Sequence, residues 1–137
     1  MSLNQGKAYS PWEHAEILGV PVETQWLRGR RWGEYHAGTH TIRLDRRLLR
    51  VEARSILAHE VQHAIHRDVP SGFGPVDARM ERRARLNAAL LLVDPHEYAE
   101  AEALCDGADC GIAHALDVIP EVLADWRMAV RTVGVRV

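Results

Sequence analysis

Five residues, His59-Glu60-Val61-Gln62-His63, constrain this chain more than any other stretch. On a helix, residues i and i+4 stand one above the other on the same face, so two histidines four apart can act together. Both imidazoles can then give a ring nitrogen to one Zn²⁺ at about 2.0–2.1 Å. Glu60 follows the first histidine and can reach a water on that metal without being a ligand itself. Such a carboxylate takes the proton as the water attacks a peptide carbonyl. The segment is therefore expected to be a helix with one face buried and the other open to a cleft, rather than a surface helix that merely carries histidines. Its surroundings agree: residues 51–67 contain neither Gly nor Pro and are rich in Ala, Leu, Ile, Glu and Arg. Ala53, Leu57, Val61 and Ala64 form one stripe for a core. His59, His63 and His66 lie on roughly the opposite side, with Ser55 above them.

Such a helix needs a body to pack against. With 137 residues, 47% of them hydrophobic and 26% charged, the chain is expected to form one globular domain over residues 1–137. Residues 1–10 are expected to be flexible. A net charge of −2 does not suit a protein that coats nucleic acid. No apolar run approaches the roughly 18–20 residues that span a membrane. Residues 1–7 show no apolar stretch of a secretion signal, so a cytoplasmic location is the default expectation. Cys105 and Cys110 could close a small loop, but no second pair exists to complete a zinc set. In a reducing compartment two free thiols beside a turn are expected.

Local signals outline an α+β fold. Ser10 as N-cap, Pro11 in the first turn and Gly19 as the stop predict a helix over 11–18. Val20 to Leu27 reads as extended. Arg31–His36 and His40–Leu44 read as strands joined near Ala37-Gly38-Thr39, and a three-stranded antiparallel meander is the economical arrangement. The histidine helix follows. Pro70 to Pro75 reads as a loop. Further helices are expected over about 77–93, 95–104, 109–116 and 120–130.

Two histidines leave a catalytic zinc site one protein ligand short. Glu81 is the first choice. Glu81, Ala84, Ala88 and Leu92 share one stripe, which puts a carboxylate at the head of a small, apolar face. An acid aimed at a packed interface wants a cation. Arg82, Arg83 and Arg85 lie off that stripe and are expected to face solvent. Asp77, Asp68 and His66 remain alternatives, although His66 stands two turns, about 10 Å, from His59.

Three segments together resemble the ImmA/IrrE family of zinc metallopeptidases. Ile56-Leu57-Ala58-His59-Glu60-Val61-Gln62-His63-Ala64 is similar to the family's L-A-H-E-x-x-H-A. Glu81-Arg82-Arg83-Ala84 with Ala88-Ala89-Leu90-Leu91-Leu92 resembles its E-x-x-A…A-A-x-L-L helix, which supplies the third ligand. Gly33-Glu34-Tyr35 and Thr41-Ile42-Arg43-Leu44 resemble the strands before the zinc helix. The resemblance runs over about residues 11–131. It implies a compact zincin-like fold and limited proteolysis of a regulatory protein, often a repressor in phages and mobile elements.

The expected activity is thus a zinc-dependent endopeptidase with His59, His63 and Glu81 as ligands and Glu60 as general base. An extended protein substrate would add as a strand to a sheet edge near Tyr35 to Ile42. Tyr35, His36 and His40 are the side chains nearest that groove, any one of which could steady the oxyanion. The rival readings are a silent zinc-containing module that only grips a regulator, and a helix-turn-helix over residues 111–127. The latter offers the mixed set Glu121, Asp125, Arg127 and Arg131, so packing of Val118, Val122, Leu123 and Trp126 accounts better for that segment.

Overall fold

The computed structural model describes residues 4–133, with the side chain of Cys110 outside the description. Six α-helices and three strands lie among these residues. A 3-10 turn at Gly6–Ala8 leads into α1 (Pro11–Leu18), which starts and stops as its punctuation dictates. The Ser10 side chain accepts from the Glu13 N–H, and Gly19 takes the left-handed conformation at the end. Then come β1 (Val22–Gln25), β2 (Gly33–His36) and β3 (Thr41–Asp45). The helices α2 (Arg50–His66), α3 (Gly74–Leu92), α4 (Pro95–Leu104), α5 (Asp109–Ala115) and α6 (Pro120–Val133) complete the chain.

The sheet departs from an antiparallel meander. Its order is β1-β3-β2, with β2 antiparallel to β3 but β1 parallel to it. A meander would place β2 in the middle. The strand with a side chain set for burial is β3, whose Ile42 and Leu44 pack with Leu57, Val61 and Ala64 of α2. Burying β3 between two partners sends the chain from β1 across the end of β3 before it returns as β2. Asp45 holds that crossing. Its carboxylate accepts from the Leu27 N–H at 2.9 Å and from Arg47, whose guanidinium donates at 2.7 Å to each oxygen. The Arg47 guanidinium lies about 5 Å from the ring centres of both Trp26 and Trp32, a cation–π contact to each end of the crossing.

The expected histidine-helix stripe is the one that meets the sheet. On its other flank, Ala58 joins a second cluster formed with Ala88, Leu92, Ile112, Leu123 and Trp126 from the later helices. Alanines at 58, 84 and 88 let α2 and α3 approach closely, which sets the distance between the histidines and Glu81. Gly6 and Tyr9 fall in the stretch expected to be flexible, yet both are buried. The cause is Arg54 of α2, itself 2% exposed. Its guanidinium donates to Gly6 O at 2.6 Å, Tyr9 O at 3.1 Å and Asp117 O at 2.8 Å. A buried cation thereby ties the lead-in and the α5–α6 turn to the histidine helix.

The arginines beside Glu81 do not all face solvent. Arg83 donates to both carboxylate oxygens of Asp68, and Arg85 pairs with Asp125 of α6 at 3.1 Å. The α3 helix is flanked by the end of α2 and by α6, so side chains off its buried stripe still find partners. Arg127 and Asp125, possible base-reading groups, are engaged as well: Arg127 donates to Asp109 and Tyr98, and Asp125 accepts from Arg85. Cys105 is a free, half-buried thiol at the end of α4. Its relation to Cys110 lies outside the described residues. No helix among them is long and apolar enough to cross a membrane.

Candidate metal centre

His59 and His63 project from successive turns of α2, and Glu81 projects toward them from the second turn of α3. His59 Nε2 and His63 Nε2 are 3.2 Å apart. The Glu81 carboxylate bridges them, with Oε1 2.5 Å from His59 and Oε2 3.1 Å from His63. All three donor atoms lie within 4.8 Å of one another, a group that could hold a metal ion.

Proton bookkeeping tests that fit. Each Nε2 can carry one hydrogen, and two imidazole nitrogens face both each other and one carboxylate. His63 Nε2–H cannot point well at Glu81 and His59 together. A cation at the centre would satisfy all three donors at once. Tetrahedral ligands on zinc at about 2.0–2.1 Å stand roughly 3.3 Å from one another, close to two of the three spacings here. The donor set, two imidazoles and one carboxylate, suits zinc.

Behind His63 stands Asp68. Its Oδ2 lies 2.8 Å from His63 Nδ1, so Nδ1 carries the proton and Nε2 is left to face the centre. The helix end brings it there. Arg67 takes a left-handed conformation with φ 49°, and the Asp68 N–H bonds back to His63 O. Burial works against the Asp68 carboxylate, but hydrogen bonds from Arg83 and His63 outweigh it and hold its pKa down. Burial likewise disfavours the His63 imidazolium, yet hydrogen bonds to Glu81 and Asp68 prevail and lift its pKa to about 9. Hydrogen bonds from His59 and His63 hold Glu81 well below the usual carboxylate range. As it stands the site is a charged cluster, and a metal ion bound there would displace a proton from it.

Glu60 lies beside this cluster, 8% exposed. Burial pushes its carboxyl above the ordinary range, while His59 and His63 pull the other way. Gly33 at the start of β2 makes the approach of sheet to helix possible. A Cβ there would meet Ile56 Cγ2 at 2.6 Å and Glu60 Cγ at 3.4 Å. The result is a cavity of about 370 Å³, with β2 on one side, α3 and the loop before it on the other, and His59, Glu60 and His63 along its floor.

The other residues singled out from sequence fall unevenly. Tyr35 lines the cavity. His40 stands behind it, in a left-handed turn with φ 50°, its Nδ1 2.6 Å from Tyr35 Oη. His36, the last residue of β2, is exposed, and its ring nitrogen accepts from the Thr39 N–H. The free sheet edge beside the cavity is β2; Ile42, in the proposed groove segment, belongs to the central strand. Of the alternatives to Glu81, Asp68 takes the outer nitrogen of His63, Asp77 is bound by the Ser71 N–H and hydroxyl, and His66 reaches back to Gln62 O. Arg83, the clamp on Asp68, escapes sequence reasoning because its i+2 offset from Glu81 reads as an outward position.

A family model described as the IrrE N-terminal-like domain, of the peptidase class, matches residues 16–125, a span that contains both histidines, Glu60, Asp68 and Glu81. No curated protein matches the chain.

Proposed function

We propose that this chain, which belongs to the IrrE N-terminal-like domain family of peptidases, is a zinc-dependent endopeptidase acting on a regulatory protein. The observation that carries the reading is the convergence of His59, His63 and Glu81 on one point, with the buried Glu60 beside them in a cleft under a free sheet edge. His59 Nε2, His63 Nε2 and a Glu81 oxygen would hold the metal. Bound zinc supplies Lewis-acid polarisation of the scissile carbonyl and lowers the pKa of water.

The chain's own groups do the rest. Glu60 accepts a proton from the attacking water at a carboxylate oxygen and returns it to the departing amide nitrogen. Its buried position raises the basicity of that carboxylate. The Asp68 carboxylate fixes the ring of His63. The edge of β2 offers unpaired main-chain groups that can hold an extended peptide as an added strand. Burial pushes the Tyr35 phenol up, so it stays protonated. With the proton on His40 Nδ1, Tyr35 Oη accepts from that ring, and its own O–H is free to stabilise the carbonyl oxygen of the transition state. His40 then positions Tyr35 and does not touch substrate.

The test is Glu60→Gln. The amide preserves shape but cannot take a proton, so zinc content and fold should persist while cleavage falls by about 10²–10⁴-fold. The same variant should co-purify with its target as a trap. A Glu60→Gln protein that cuts a genuine target at the wild-type rate defeats the mechanism. Purified wild-type protein that takes up no zinc defeats the whole reading.

A further inference from the structure

A second cavity, of about 340 Å³, opens beside the metal centre and shares Arg31, Gly33, His59 and Glu60 with the first. The two form one groove that passes over Glu60. Their chemistry differs. The half toward the start of α3 and its preceding loop carries Glu34, Asp68 and Asp77. The other half has an apolar floor of Ile56, Ala88, Ile119 and Val122, rimmed by Arg30, Arg31 and Arg85. Arg31 and Arg85 are paired with Glu34 and Asp125. Arg30 is exposed and stands in no ion pair among the described residues. The Ile119 N–H donates to the buried Ser55 hydroxyl at 3.3 Å, which sets the start of α6 against α2.

We infer that this second half is a specificity subsite for one flank of the peptide substrate, taking an apolar side chain followed by acidic residues. The inference rests on the endopeptidase reading for its purpose, though not for its binding chemistry. Continuity with the cleft makes the occupant the same extended peptide that lies over Glu60. Ile119 and Val122 offer apolar surface to a side chain. Arg30, in no ion pair among the described residues, favours a carboxylate here, whereas in the other half Asp77, likewise in none, disfavours it; Glu34 and Asp68 are already held by Arg31 and Arg83. An acidic flank therefore has one direction in which to lie, and the charge pattern sets polarity as well as affinity.

The test uses fluorescein-labelled ten-residue peptides and fluorescence anisotropy on the zinc-treated full chain carrying Glu60→Gln. One series places Leu-Glu-Glu toward the N-terminus of an otherwise neutral peptide, and a second places it toward the C-terminus. Controls carry Leu-Lys-Lys or Ser-Glu-Glu. In one of the two series Leu-Glu-Glu should bind about tenfold tighter than Leu-Lys-Lys, as a few surface ion pairs allow, and the advantage should shrink with salt. Replacing Leu by Ser should weaken it further. Adding Arg30→Glu, a change on an exposed loop, should cancel or reverse the preference. Equal affinity for the acidic and basic peptides, or a preference untouched by Arg30→Glu, overturns the subsite. If the preference holds and wild-type protein cuts none of the peptides, nor any protein bound through them, the subsite stands and the endopeptidase reading falls.

Discussion

Asp68 shows how much of a candidate metal centre is decided by a residue that would not touch the metal. A histidine offers either ring nitrogen, and the group bonded to the other one makes the choice. Here Asp68 takes His63 Nδ1 and is itself clamped by Arg83, leaving Nε2 to face His59 and Glu81. Asp68→Asn keeps an acceptor for Nδ1–H but removes the charge that stabilises the metal-facing form, and it breaks the pair with Arg83. Zinc affinity should fall about 10–100-fold, measured by competition with a chelator of known strength. Unchanged affinity would make Asp68 a mere helix-end residue. The sequence supplies Asp68 as a carboxylate near the site and leaves its role open. Five residues past His63 do not say which nitrogen it meets. That depends on the left-handed turn at Arg67, which no glycine announces.

At the scale of elements, legibility follows locality. The ends of α1 and the starts of α4 and α6 are written in Ser10-Pro11, Gly19, Asp94-Pro95 and Ile119-Pro120, because caps and proline act over three or four residues. Strand order is not local. Alternation over 39–45 identifies β3 as a strand but does not say whether it is central, and the parallel pairing with β1 depends on a crossing held by Asp45. That device has a pH signature. The hydrogen bond from the Arg47 side chain, helped by the backbone N–H groups of Arg47 and Leu27, holds the Asp45 carboxyl well below its ordinary value against the effect of burial. A depressed folded-state pKa gives stability that is present above the unfolded value near 3.9 and is lost as pH falls toward the folded one. Wild-type protein should therefore lose stability from about pH 5 downward. Asp45→Asn should melt lower at pH 7 and decline less steeply in acid, and the difference between the two curves isolates Asp45. Parallel curves would show that the crossing is held by something else.

For the whole molecule, α2 is the shared member. One flank packs on the sheet, the other on the later helices, and Arg54 draws in the lead-in and the α5–α6 turn. The histidines and Glu81 sit across the seam between α2 and α3, so an ion there would pin two helices that otherwise meet through alanines. Without it, Glu81 and the two imidazoles already hold each other as a charged cluster, so the chain should fold before it is loaded. Zinc should then act as a ligand of the folded state. At a free concentration a hundredfold above its dissociation constant it adds about 2.7 kcal/mol. For a chain of this length that amounts to roughly 10 °C in Tm. Chelation should lower Tm by that margin and leave a cooperative transition. His59→Ala should melt near the chelated wild type and gain little from zinc. A chelated protein with no cooperative melt would show that the metal is needed to form the α2–α3 seam at all; a wild-type Tm indifferent to zinc would show that the three donors do not share an ion.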